Sequence, residues 1–147
     1  MRIRTRRRWA RLARLGQTQW LFGNVYEAVV DVPGLIAHRP PAANPLSAGS
    51  PVRYYAPTAP LTLAATAVTL AQSWRDGDRR AVVAAAAGTG SAVALTAYLV
   101  RKVNLPLLQG TGSAELTRTW HRANLARLGA LAVSTMALRK LSAGRRS

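Results

Sequence analysis

The sequence contains no cysteine, which excludes disulfides, cysteine-ligated metals and thiol redox chemistry. A CxxC-based quinone reductase mechanism, found in other small helical membrane bundles, is excluded with them. Histidine is almost absent: His38 and His121 are the only two, each at the edge of an apolar block, too few for a protein-built zinc or haem site. No protein-ligated metal is therefore expected. Acidic residues are scarce as well, five against twenty-one Lys and Arg, for a net charge of +16 and a pI near 12.0. Such a charge ordinarily points to nucleic acid. However, no block interleaves aromatic with basic residues as a nucleic-acid groove does, and no nucleic-acid partner is expected.

What the chain has instead is apolar sequence. Hydrophobic residues make up 49% of its 147 residues, enough for one domain, and they fall in four blocks separated by basic segments. The mean hydropathy of +0.02 averages these two materials. The blocks predict four transmembrane helices, at about 17–37, 56–74, 81–100 and 120–138. Each approaches the ~20 residues that cross ~30 Å of hydrocarbon. The fold class expected is an all-α, four-transmembrane-helix bundle. Between Ala84 and Ala92 the third span holds only Ala, Gly, Thr and Ser. Ala84, Gly88 and Ala92 there form a small-xxx-small face, which places this span centrally against the other helices.

The connections differ in kind. Residues 38–55, with Pro40, Pro41, Pro45, Gly49 and Pro51, read as an irregular loop, residues 75–80 as a tight polar turn, and residues 101–119, with Pro106, Gly110 and Gly112, as a third connection. Residues 1–16 carry seven arginines and no acid. The apolar stretch behind them holds Glu27 and Asp31 and lacks a small-residue cleavage site, so a signal peptide is not expected. They read as a basic cytoplasmic segment that meets anionic headgroups. Fourteen Lys and Arg fall on the side of the two termini and six on the other, with Arg127 inside the fourth span. That asymmetry predicts a multi-pass plasma-membrane protein with both termini, 1–16 and 139–147, in the cytoplasm.

Ionisable residues inside a span cost roughly 2.5–3.5 kcal/mol each, so they face the bundle and find partners. Trp20, Asn24, Glu27 and Asp31 fall at i, i+4, i+7 and i+11 of the first span, and Trp120, Asn124, Arg127, Leu131 and Ser134 share one face of the fourth. Counted from the cytoplasmic edge, Glu27 lies at ~15 Å, Asp31 at ~21 Å and Arg127 at ~20 Å. One arginine would then meet two carboxylates, leaving one acid neutral beside an ionised one, a general acid/base pair. Glu27, Asp31 and Arg127 are the candidate catalytic residues. The same pairing also serves as packing glue between membrane helices, and the sequence leaves both readings open. Tyr98, Arg101 and Asn104 end the third span and either line the same cavity or form an interfacial belt. Trp20, Trp74 and Trp120 read first as belt residues, and the threonines 58, 62, 66 and 69 as helix–helix hydrogen-bonding groups.

The run Val-Asn-Leu-Pro-Leu at 103–107, followed by Trp120-x3-Asn124-x2-Arg127 entering the last span, resembles the anthrone-oxygenase-like group of small four-helix membrane proteins. Asn104, Trp120, Asn124 and Arg127 match the family pattern. Asn124 stands where the oxygenase branch has histidine, so a base would have to come from Glu27 or Asp31. The resemblance implies a cofactor-free enzyme, oxygenase- or cyclase-like, that carries out oxidation, cyclisation or isomerisation of a lipophilic polyketide-like molecule. Trp20, Asn24, Tyr98, Arg101, Asn104, Trp120 and Asn124 would then contact the substrate. A non-catalytic membrane subunit or small transport component, its polar cluster purely structural, is the alternative. The partners expected are the lipid bilayer and the lipophilic substrate, and the oligomeric state stays open between a single bundle and a homo-oligomer.

Overall fold

A computed structural model describes residues 2–38, 51–75 and 77–143, and every regular element among them is helical. Most of the expected 38–55 loop (residues 39–50) and the end of the basic tail (144–147) lie outside the described residues.

Helix α1 (Arg2–Val29) carries the arginine segment directly into the first apolar block without a break. It ends where Asp31 turns into the left-handed region at φ 51°, ahead of Pro33, and α2 (Val32–Ala37) restarts in a new direction. The expected first span of 17–37 is thus two helices rather than one. A non-glycine residue in that region is uncommon, and the residue before a proline resists helical geometry. These two local costs fall side by side here.

Short helix α3 (Pro51–Tyr55) occupies the end of the expected loop, and α4 (Ala59–Ser73) has Pro60 in its first turn, where a missing N–H costs nothing. Asp78 caps α5 (Arg79–Leu99), its Oδ1 accepting from the amides of Arg80 at 2.9 Å and Ala81 at 3.3 Å. Helix α5 does not stop at residue 100. It passes through a π-helical turn (Val100–Asn104) into α6 (Leu105–Leu108), so much of the expected third connection is helix. Proline at 106 has no N–H to donate, and the wider turn lets the chain continue past it. The run ends in a Schellman motif: Thr111 N–H reaches Pro106 O at 3.0 Å, Gly110 N–H reaches Leu107 O at 3.1 Å, and Gly110 supplies the φ of 80° that the motif needs. Helix α7 (Ala114–Ala143) begins with Ser113 Oγ accepting from the Leu116 amide at 3.2 Å.

The runs alternate in direction, and three apolar layers fix which ends meet. Ala13, Ala81, Val82, Leu138 and Leu141 share one layer, joining the start of α1, the 75–80 turn and the end of α7. Trp20, Ala92 and Leu131 form the middle. Ile36, Leu99, Val103, Leu107 and Trp120 form the far layer. The most extensive contact is α5 on α7, followed by α1 on α4 and α1 on α7; α4 touches α5 little. The small-residue face of α5 thus serves α7 rather than all neighbours. A Cβ at position 88 would stand 2.6 Å from the Ala130 carbonyl oxygen, so the two backbones approach as closely as Gly88 allows.

Among the described residues one continuous helical run, Arg79–Leu108, is long and apolar enough to cross a membrane. Helix α4 has 15 residues, ~22 Å of rise. Helices α1 and α7 are longer, but polar residues, buried and exposed, interrupt their apolar stretches.

Candidate functional site

The first candidate residues come together through helix periodicity alone. Glu27 of α1 and Arg127 of α7 form a buried ion pair, Nη2 to Oε2 at 2.8 Å. Asn124, one turn before the arginine, accepts from its Nη2 at 2.6 Å and its Nε at 3.2 Å through a single Oδ1. Its own amide donates to the Asn24 carbonyl at 3.3 Å, and Asn24 in turn donates to the Trp20 carbonyl at 2.7 Å. Thr96 of α5 takes Arg127 Nη1 at 3.4 Å. The arginine is therefore held on three sides by α1, α5 and its own helix. Charge-assisted bonds of this kind are stronger than neutral ones, and enclosing the group in a low-dielectric setting raises the cost of breaking any of them.

Asp31 does not join this site. Its left-handed backbone takes it off the helical face that Trp20, Asn24 and Glu27 share. Its carboxylate folds back over Gly34 and meets His121 Nε2 at 3.3 Å, with the Asp31 side chain 56% exposed. The expected encounter of two acids with one arginine is replaced by two separate one-to-one pairs. Tyr98 and Arg101 do not line the site either: both are exposed. Leu99, Val103 and Asn104 take the inward positions around the π-helical turn, which leaves 98 and 101 on the outer side. Asn104 is buried, and its Oδ1 meets no partner among the described residues. Trp120 is buried in the far apolar layer, edge-on to His121 with ring centroids 5.2 Å apart, and Trp20 is buried in the middle layer. Neither of these two is an exposed belt residue, whereas Trp74 is exposed.

Several residues not singled out from the sequence complete the polar interior. The Tyr55 hydroxyl hydrogen-bonds the Glu27 carboxylate. Gln17, 0% exposed, donates through Nε2 to Thr66 Oγ1 at 3.3 Å and Thr89 Oγ1 at 3.2 Å, and Thr89 meets Ser134 Oγ at 2.8 Å. Position 17 lies three residues before Trp20 and ten before Glu27, on the same face, so the periodicity extends to it. Tyr55 left no such signal, because it stands in a short helix outside every apolar block. Of the threonines on α4, Thr66 and Thr69 donate to carbonyls of their own helix, at 2.8 and 2.7 Å, and only Thr66 also accepts across helices. Beside the site, Gly16, Gln19, Trp20, Tyr55, Thr58, Ala59 and Thr62 line a shallow cleft between α1 and the α3–α4 segment. Tyr55 is common to the cleft and to the Glu27 site.

The arrangement provides a carboxylate held by a guanidinium on one side and a phenolic hydroxyl on the other. Chemically it can anchor a polar group, accept a proton at Glu27, or lock α1 to α7. Comparison of the chain with protein-family models, with curated proteins and with solved structures finds no match in any of the three.

Proposed function

We propose that the chain is a four-span integral membrane bundle of the plasma membrane, with both termini cytoplasmic, whose Glu27 site acts on a lipophilic small molecule without a cofactor. The observation that carries the membrane reading is the inverted polarity of the helices. Phe22 is 67% and Val29 78% exposed, with Leu15, Leu125 and Met136 also outward, while Gln17, Asn24, Glu27, Asn124 and Arg127 are buried. In water that distribution is unfavourable twice over, because apolar area stays wet and polar groups are desolvated. In lipid both terms reverse: side chains facing hydrocarbon should be apolar, and ionisable ones belong inside the bundle. The even number of helical runs, with three basic segments at one end, supports the orientation.

For the chemistry, the reading follows the resemblance to the anthrone-oxygenase-like group. Glu27 is the proton acceptor, Tyr55 and Arg127 hold its carboxylate, and the cleft at Trp20 and Tyr55 is the approach for an aromatic polyketide-like substrate. Asp31 is left out of the acid/base pair. Oxidation, cyclisation and isomerisation of such a substrate all begin with loss of an acidic C–H proton, so one assay covers them. The chain in lipid nanodiscs should accelerate deuterium uptake from D2O by an anthrone above the spontaneous rate. Glu27→Gln should remove the acceleration while the protein stays folded and inserted. A chain with no acceleration, or a Glu27→Gln variant that retains it, refutes the chemistry.

A second reading has its own support. With Asp31 elsewhere, one arginine faces one carboxylate, and the pair is complete as a lock between α1 and α7. Replacing Glu27 and Arg127 together by apolar residues separates the two readings, since a pure lock tolerates the exchange with stability retained, whereas an acid/base site loses its proton acceptor.

A further inference from the structure

We propose that the outward face of α1, together with the basic collar assembled around its first turns, is a binding site for anionic phospholipid. The inference rests on the membrane reading above and adds a specific ligand to it. Arg7, Arg8 and Arg11 point outward on α1, and Leu15, Phe22 and Val29 continue the same exposed face toward the middle of the bundle. The steps of four and seven residues keep these positions on one side of the helix. One face of one unbroken helix therefore changes from cationic to apolar at Leu15. The apolar part rises ~21 Å, more than the ~15 Å depth of one leaflet's hydrocarbon. That is the order of a phospholipid laid along the helix, phosphate first and acyl chain after.

The fold supplies the rest of the charge. The layer formed by Ala13, Ala81, Val82, Leu138 and Leu141 brings the start of α1, the 75–80 turn and the end of α7 to one end. Arg79, Arg80 and Arg139 are exposed there. Lys140 is engaged with Asp78 at 2.6 Å. The sequence segments that lead into this end, 1–16, 75–80 and 139–147, contain fourteen Lys and Arg against two acids. A zwitterionic headgroup leaves such a collar uncompensated, whereas an anionic one neutralises it, at roughly a fivefold gain in affinity for each basic residue near the surface. A free phosphate would meet the charge but not the apolar stripe, and a nucleic acid would meet neither the stripe nor the depth of the site.

The test uses the full chain purified in a non-ionic detergent and titrated with dioleoyl phosphatidylglycerol, dioleoyl phosphatidylcholine, inorganic phosphate or a duplex DNA. Retained molecules are read by native mass spectrometry and stability by thermal melting. Phosphatidylglycerol should be retained and raise the melting temperature, with phosphatidylcholine and phosphate without effect. The triple variant Arg7→Gln, Arg8→Gln, Arg11→Gln should weaken that binding about a hundredfold. The charge-matched control Arg101→Gln, Lys102→Gln, Arg118→Gln, at the opposite end, should leave it unchanged. Equal retention of the two lipids, an equal loss in the control, or tighter binding of DNA than of lipid overturns the proposal. A chain that stays monodisperse without detergent overturns it together with the membrane reading. A chain that needs detergent yet shows no lipid preference overturns the proposal alone.

Discussion

Glu27 and Asp31 are carboxylates one helical turn apart on the same stretch of apolar sequence, and they end in opposite surroundings. Glu27 is buried, tied to Arg127 at 2.8 Å and to Tyr55, inside a network that also holds Asn124. Asp31 is more than half exposed, paired with a histidine at 3.3 Å, at the seam between two helices. Charge and side-chain chemistry are nearly the same, so the backbone decides. A single left-handed residue ahead of Pro33 ends α1, and the position that an unbroken helix would have turned inward is turned outward. The lesson is that a polar face read from periodicity is valid only up to the first residue at which the helix has a reason to stop.

The comparison is broken most directly at the arginine. Arg127→Ala leaves a buried carboxylate without its cation and should destabilise the bundle by roughly 3–5 kcal/mol, read as a loss of melting temperature in detergent. Replacing Glu27 and Arg127 together by apolar residues of similar size should recover most of that loss. A much smaller effect of Arg127→Ala would mean that the pair is not enclosed. At the seam the same kind of change should matter far less. Asp31→Asn or His121→Gln removes a half-exposed pair, and each should shift stability by no more than about 1 kcal/mol. If either matched Arg127→Ala, the contrast between the two acids would fail.

The smallest expected effect is a pH dependence at the basic end. Asp78 is exposed, and the hydrogen bond it accepts from Lys140, followed by that from the Ala81 amide, holds its carboxyl below the ordinary range. A depressed folded-state pKa contributes stability that is complete above the unfolded value, about 4, and that disappears as the pH falls through the lower folded value. A slight loss of stability below about pH 4 should therefore be diminished in Asp78→Asn. An undiminished loss in that variant would place its source elsewhere.

Much of this was legible in the sequence, for definable reasons. Three of the four apolar blocks gave one helix each, α4, α5 and α7, and the first gave two, α1 and α2. Depths counted along two antiparallel helices matched Arg127 to Asp31, with Glu27 one turn below; the structure pairs the arginine with Glu27 alone. Pro33 marked the break at Asp31, but the i+11 spacing was carried across it, and the second acid was misplaced as a result. The helical continuation through Asn104 was hidden because Pro106 reads as a stop, and only a π-helical turn lets the chain pass it. Gln17 lay on the predicted face but at the edge of its block. Tyr55 reached Glu27 through tertiary packing alone, which no local pattern encodes.

The central claim is a bundle that crosses the membrane four times and keeps its basic end in the cytoplasm. The absence of native cysteine makes it directly measurable. Single cysteines in place of Thr5, at the basic end, and Thr111, beyond the Schellman motif at the other end, are exposed to a membrane-impermeant thiol reagent in intact cells. The account predicts that Thr111→Cys is labelled and that Thr5→Cys is labelled only after the membrane is opened. Labelling of Thr5→Cys in intact cells with Thr111→Cys protected, or equal labelling of both, would contradict it.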